Sequence, residues 1–138
     1  MDTTLCLIDT SIWIEVLPPG RAAQDLRERV RTLVAAQQAL TTGVVRQELL
    51  HGARNEAEYG ELADALDALP MLPTDEETWR RAARLGYELR RRGLTIPSTD
   101  LLIAAVAIQA NAVLIHRNRH FDTIASHFPL RVESYVSM

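Results

Sequence analysis

The stretch Leu5-Cys6-Leu7-Ile8-Asp9-Thr10-Ser11-Ile12-Trp13-Ile14 sets four apolar or sulfur-bearing residues against one carboxylate, then returns to apolar residues within three positions. Residues 5–8 read as a strand buried on both faces, because nothing in the run alternates with polar residues. An aspartate directly after such a strand is an N-cap, its oxygen accepting a backbone N–H of the next helix, or it is the acid of a site. The choice rests on whether other carboxylates reach the same place.

Downstream, short apolar runs alternate with longer helical patterns. Residues 24–38 repeat Leu26, Val30, Leu33 and Val34 on one helical face, 39–42 form a second strand, and 44–54 read as a helix ending near Gly52. A helix over 56–69 turns Leu62, Leu66 and Leu69 inward, and Met71 and Leu72 sit between two prolines, which suits a short edge strand. Asp75 caps the next helix, which carries Glu76 and Glu77 in its first turn and arginines in its last, and which stops at Gly93. Ser98 or Thr99 opens a helix that is apolar through Leu101, Leu102, Ala105 and Ile108; then follow a strand at 112–116, a helix at 121–127 and a strand at 130–135. This order predicts an α/β fold of three layers, with a central, mainly parallel sheet, helices on both faces and right-handed crossovers.

With 138 residues the chain is read as a single domain, 1–138, that buries roughly two thirds of its unfolded surface. Apolar residues make up 47% and charged residues 24%, so no tract argues for disorder. The net charge of −3 gives no global basic footprint, and any nucleic-acid contact must come from a local patch. All 15 basic residues are arginine, grouped at Arg80, Arg81, Arg84, Arg90, Arg91 and Arg92 with Arg117 and Arg119 later; on helices these are ordinary solvated residues or phosphate contacts. Cys6 is the only cysteine and lies in an apolar strand, which fits a reducing compartment. No opening basic segment leads into an apolar one and no apolar run spans a bilayer, so the expected location is the cytoplasm.

Sites in such sheets form beyond the carboxyl ends of the strands. Four residues qualify: Asp9 after the first strand, Glu48 in the helix after the second, Asp100 at the start of a late helix, and Asn118 after the strand ending in His116. Each has a structural alternative. Asp9 serves as an N-cap, Glu48 as a solvated helix residue with little open surface among Val44, Val45, Leu49 and Leu50, and Asp100 as a first-turn acid favoured by the dipole by roughly 0.3–1 kcal/mol. Taken together, three hard oxygen donors converge with no cation interleaved, a repulsion that a divalent ion relieves. Carboxylates without thiolate or a tight histidine pair select Mg2+ or Mn2+, which polarises a phosphoryl oxygen and acidifies water for phosphodiester hydrolysis.

Other chemistries lack their residues. Asp9-Thr10-Ser11 has serine where an aspartyl-phosphate phosphatase needs a second aspartate, no G-x-S-x-G is present, and a chain without lysine has no Walker-type phosphate loop. His116 and His120 have the spacing of a helical zinc pair but fall on a strand end and loop.

The runs LIDTSIWIEVL, VVRQELLHG, TIPSTDLLIAAVAIQ and VLIHRNRHFDTIA resemble the four blocks of PIN-domain ribonucleases, specifically VapC-type toxins of bacterial toxin–antitoxin pairs, in order from Leu5 to about Ala125. The resemblance implies an α/β/α PIN fold, an acidic pocket for Mg2+ or Mn2+, endonucleolytic RNA cleavage that halts translation, homodimers, and a VapB-type antitoxin that completes a heterotetramer or larger assembly. It maps the acids to Asp9, Glu48 and Asp100; on this reading Asp9 and Asp100 are direct metal ligands, Glu48 ligates through water or positions the attacking water, and Thr10 and Ser11 are hydroxyl partners of the first acid or its waters. Surplus apolar surface on the helices from 24 to 69 is assigned to the dimer and antitoxin, Arg117, Arg119 and the fifth-helix arginines to steering RNA, Trp13 to the core, and Trp79 to base stacking.

The fourth block departs from the pattern, since Asn118 stands where such sequences carry aspartate. Its amide offers one carbonyl oxygen to a metal, water or phosphate but no charge, with Asp122 as a stand-in acid or N-cap of the last helix. The departure keeps a second reading open, a catalytically impaired PIN domain that binds RNA or antitoxin. A DNA-directed nuclease of the same architecture is a third.

Overall fold

The computed structural model describes residues 2–18 and 20–137. In chain order the elements are β1 Cys6–Ile8, α1 Thr10–Val16, α2 Gln24–Ala35, β2 Ala39–Thr42, α3 Gly43–His51, α4 Glu56–Asp67, β3 Met71–Leu72, α5 Glu76–Arg91, α6 Ser98–Ala110, β4 Val113–His116, α7 Arg119–Ala125 and β5 Val132–Ser134. Five strands pair in the order β3-β2-β1-β4-β5, and every pairing is parallel. Helices cover both faces, giving the three-layer α/β/α arrangement. Because β1 is central, all of Cys6, Leu7 and Ile8 are buried, which accounts for its unbroken apolar run.

The order reverses direction beside β1, with β2 on one side and β4 on the other, so the crevice of this sheet opens beyond the carboxyl ends of β1 and β4. Helix α6 is buried nearly all round, with Leu102, Ile103, Ala104, Ala105, Val106 and Ala107 in the core, and it carries Asp100 in its first turn. Small alanines let it lie close to the layers beside it. It ends at Asn111, whose left-handed φ of 52° turns the chain into β4.

Helix α5 runs antiparallel to α6. A capping box joins Asp75 and Thr78, and both are tied to Gln109 at the far end of α6, the Thr78 hydroxyl donating to Gln109 Oε1 at 2.6 Å and Gln109 Nε2 donating to Asp75 at 3.2 Å. The basic end of α5 therefore lies at the start of α6. Gly86 permits the close approach, since a Cβ there would stand 2.8 Å from Leu101 Cδ1.

Gly93 ends α5 with φ of +79°, while Leu94 N–H bonds back to Leu89 O at 3.0 Å. Nothing lies within 4 Å of a Cβ at this position, so Gly93→Ala tests backbone conformation alone. It is expected to cost about 1 kcal/mol, and a few degrees of melting temperature by circular dichroism at this chain length.

Several boundaries differ from the sequence reading. Helix α2 stops at Ala35 because Gln37 takes a left-handed φ of 60°, while Gln38 N–H returns to Leu33 O. Helix α7 begins at Arg119 rather than 121, and β5 keeps only the three residues that pair with β4. No helix among the described residues is long and apolar enough to cross a membrane.

Candidate active site

Asp9 is the N-cap of α1 directly after β1. Its backbone N–H extends the sheet by donating to Ile115 O at 3.0 Å, and its Oδ2 caps α1 by accepting Ser11 N–H at 3.0 Å and the Ser11 hydroxyl at 2.5 Å. The residue is 3% exposed. Burial drives its carboxyl pKa up to about 6; the Ser11 hydrogen bonds oppose the rise, and the negative charges of Asp100 and Glu48 add to it. The acids thus share one electrostatic environment.

Glu48 projects from α3, and its Oε1 accepts the Thr10 hydroxyl at 2.7 Å. The side chain is exposed, correcting the expectation that its apolar neighbours leave it little open surface. Val45 and Leu49 take the inward face of α3, and Glu48 lies off it.

Asp100 is buried in the first turn of α6. Its Oδ2 accepts Asn118 Nδ2 at 3.1 Å and lies 2.9 Å from His120 Nδ1, which donates in a neutral or charged ring. An imidazole thus stands beside Asp100. Sequence reading missed this partner, and its one signal was a histidine two positions after the residue facing Asp100.

Asn118 is the N-cap of α7: its Oδ1 accepts His120 N–H at 3.0 Å while its Nδ2 faces Asp100. The carbonyl oxygen that the sequence reading offered to a metal or phosphate is committed to the helix. Asn118, not Asp122, is the cap, because the helix starts two residues earlier than expected. Asp122 lies within α7, where Oδ2 accepts the Ser134 hydroxyl at 2.9 Å and Oδ1 stands 3.2 Å from His116 Nε2, off hydrogen-bond alignment.

His116 is fully buried under this corner and accepts Asn118 N–H on Nδ1 at 3.1 Å, which fixes the neutral tautomer. Burial holds its pKa below the ordinary histidine value. The two corners are joined by Ser11, whose Oγ accepts Arg117 N–H at 2.9 Å, while Arg117 pairs with Glu15 at 3.0 Å.

Within the described residues, each acid thus makes its side-chain hydrogen bonds through one oxygen, leaving Oδ1 of Asp9, Oδ1 of Asp100 and Oε2 of Glu48 without one. No three His, Cys, Asp or Glu side chains among these residues stand close enough to hold an ion as they are placed. Asp100 is drawn toward Asn118 and His120, and Glu48 toward Thr10. As donors the three carboxylates are hard oxygens with no thiolate beside them, a set that suits Mg2+ or Mn2+ rather than zinc.

An acidic cluster beyond the carboxyl ends of a parallel α/β/α sheet defines the class, and the match extends along the chain. The chain belongs to the PIN-domain family, whose model matches residues 6–126. It is similar to VapC ribonuclease Mb1587 of Mycobacterium bovis, with 34% identity over 134 residues, 95% of this chain and 99% of the relative. Among solved structures it resembles VapBC2 from Rickettsia felis bound to a DNA fragment from their promoter, with a TM-score of 0.79 at 24% identity, covering 95% of this chain and 98% of the other. It also resembles VapBC-5 from Mycobacterium tuberculosis, a member of the VapBC family of toxin–antitoxin systems, with a TM-score of 0.61 at 25% identity over 95% and 97% of the two chains.

Proposed function

We propose that this chain is a metal-dependent endoribonuclease, the toxin of a toxin–antitoxin pair, which hydrolyses RNA phosphodiesters with an activated water and so inhibits translation. The observation that carries the reading is the Asp9 carboxyl, pushed up to about 6 by burial and by the neighbouring charges of Asp100 and Glu48. A buried acid set against two others is costly unless a cation neutralises it. The ribonuclease name of its 34%-identical relative supports the reaction class.

Asp9 and Asp100 would hold the ion directly and Glu48 through water. Mg2+ or Mn2+ would supply positive charge at the scissile phosphate and acidify the attacking water. The chain's own residues set the acids in place: Ser11 holds Oδ2 of Asp9, Thr10 holds Oε1 of Glu48, and Asn118 and His120 hold Oδ2 of Asp100. Asn118 acts through Asp100 and is a positioning residue. The partners of this reading are RNA, a second copy of the chain and a VapB-type antitoxin, supported by the likeness to VapBC-5. A groove beside Glu48, lined by Ile14, Leu17, Leu49 and Leu62, suits an apolar antitoxin segment. The surplus expected on α2 to α4 is smaller than the sequence suggests: among their large apolar residues, Val34 and Tyr59 are the exposed ones.

The departure at Asn118 favours one other reading, a PIN domain that binds RNA or antitoxin without cutting. Both are tested with purified, antitoxin-free protein, folded by circular dichroism, incubated with RNA in Mg2+, Mn2+ or chelator. Cleavage that vanishes in chelator and in Asp100→Ala, with calorimetric ion binding lost in the same variant, is the expected result. A parent that cuts nothing while Asn118→Asp does would move the binding reading ahead.

A further inference from the structure

Residues 80–92 place six arginines against one glutamate, in a chain whose net charge is −3. Arg80 is paired with Glu76 at 2.6 Å and Arg84 with Glu88 at 3.4 Å. No carboxylate among the described residues pairs with Arg90, Arg91 or Arg92, and the Arg92 guanidinium instead meets His127 Nδ1 at 2.5 Å. Positive charge left over in this way marks a face that wants an anion.

Its geometry is ordered. Arg84, Tyr87 and Arg91 follow one stripe of α5 at helical spacing, and both guanidinia lie over the exposed Tyr87 ring, their Cζ atoms 5.3 Å and 5.7 Å from its centroid. Arg91 Nη1 also reaches Tyr87 Oη at 3.4 Å. With Glu88 and Arg92 these residues line an open hollow of about 410 Å³. Stacking on the phenol limits the rotamer freedom of two long side chains before any ligand arrives.

The hollow sits on the half of α5 that packs beside the start of α6, the turn that carries Asp100. Gly86, next to Tyr87, packs against Leu101, next to Asp100. We infer that this face of α5 holds the sugar–phosphate backbone of the RNA on the flank of the cleavage site, with Arg84, Arg91 and Arg92 as phosphate contacts and Tyr87 as the platform that sets the first two. The assignment rests on the ribonuclease reading above. An acidic peptide fits less well, because three guanidinia, Glu88 and a single phenol ring line an open hollow with no enclosed apolar pocket for an anchoring side chain, whereas phosphate contacts require charge and little else.

The test measures binding rather than cleavage. Fluorescence anisotropy of a labelled single-stranded RNA is recorded in chelator across a range of salt concentrations, for the parent, Arg84→Ala, Arg91→Ala, the double alanine variant and Arg84→Lys/Arg91→Lys. Each arginine lost should flatten the slope of log affinity against log salt by about 0.7, which is roughly fivefold in affinity per arginine at ~0.1 M salt, whatever the RNA sequence. The lysine pair should keep the parental slope. A folded double alanine variant with unchanged slope and affinity overturns the assignment and leaves the ribonuclease reading standing. Displacement of the RNA by a polyglutamate peptide that shows the same arginine dependence assigns the face to an acidic protein segment instead. A parent that neither binds nor cuts RNA overturns both readings.

Discussion

Asp9→Asn should lower RNA cleavage by about a thousandfold and, in the same protein without metal, raise the melting temperature at pH 7. The first effect follows from removing the charge of the most buried acid in the site: a catalytic cation contributes several kcal/mol, and each 1.36 kcal/mol is about tenfold in rate. The second follows from the raised pKa. Between the usual 3.8 and about 6, the folded state binds the Asp9 proton more tightly than the unfolded chain does. The stabilisation from that proton is complete below pH ~4 and is lost as pH rises through ~6, a difference of roughly 3 kcal/mol at neutral pH. An asparagine keeps the acceptor for Ser11 without the charge, and ~3 kcal/mol corresponds to roughly 10 °C for a chain of this size. Thermal melts in chelator from pH 4 to 7 should therefore show the parent falling and the variant flat. Added Mg2+ should stabilise the parent only. Equal melting temperatures at pH 7 would mean that the Asp9 charge is not strained.

Phe121→Ala should cost about 3–5 kcal/mol, a large share of the stability of a domain this size. The ring is fully buried and meets His116 edge-on, with centroids 5.2 Å apart and planes at 62°. His116 in turn receives Asn118 N–H, so a cavity at Phe121 loosens the corner that presents Asn118 and His120 to Asp100. Urea denaturation measures the loss, and faster amide exchange at Asn118 would report the loosened corner. Phe121→Leu should retain most of the stability. A loss under 1 kcal/mol in the alanine variant would show that neighbouring side chains collapse into the space.

The features legible in the sequence were those dictated by burial on all sides. Residues 5–8 read as a buried strand and the apolar run from 98 as a helix, and the structure sets the first at the centre of the sheet and encloses the second. Asp9, Asp100 and Asn118 were placed near strand ends and helix starts because the chain must turn there, and the structure sets them at that end of the sheet. What escaped was side-chain traffic between distant residues. Ser11 and Arg117 are 106 positions apart, and His120 reaches Asp100 across 20. No local pattern encodes such meetings. Glu48 was misjudged because a mostly apolar helix was taken to be enclosed, when one face of it stays open. The two tryptophans differ as expected: Trp13 is 7% exposed and Trp79 59%.

The margins of the sheet bear on how copies of this chain meet. On one side β3 has two residues, followed directly by Pro73 and preceded by Pro70, and on the other β5 has three. Such a margin gives a neighbouring molecule almost no ladder to extend, and proline removes a donor on either side of β3. Edges this short disfavour sheets that continue from one molecule into the next. The surface left for partners is that of the helices, whose side chains change more freely than a backbone register, so choice of partner can diverge while the strands beneath stay the same.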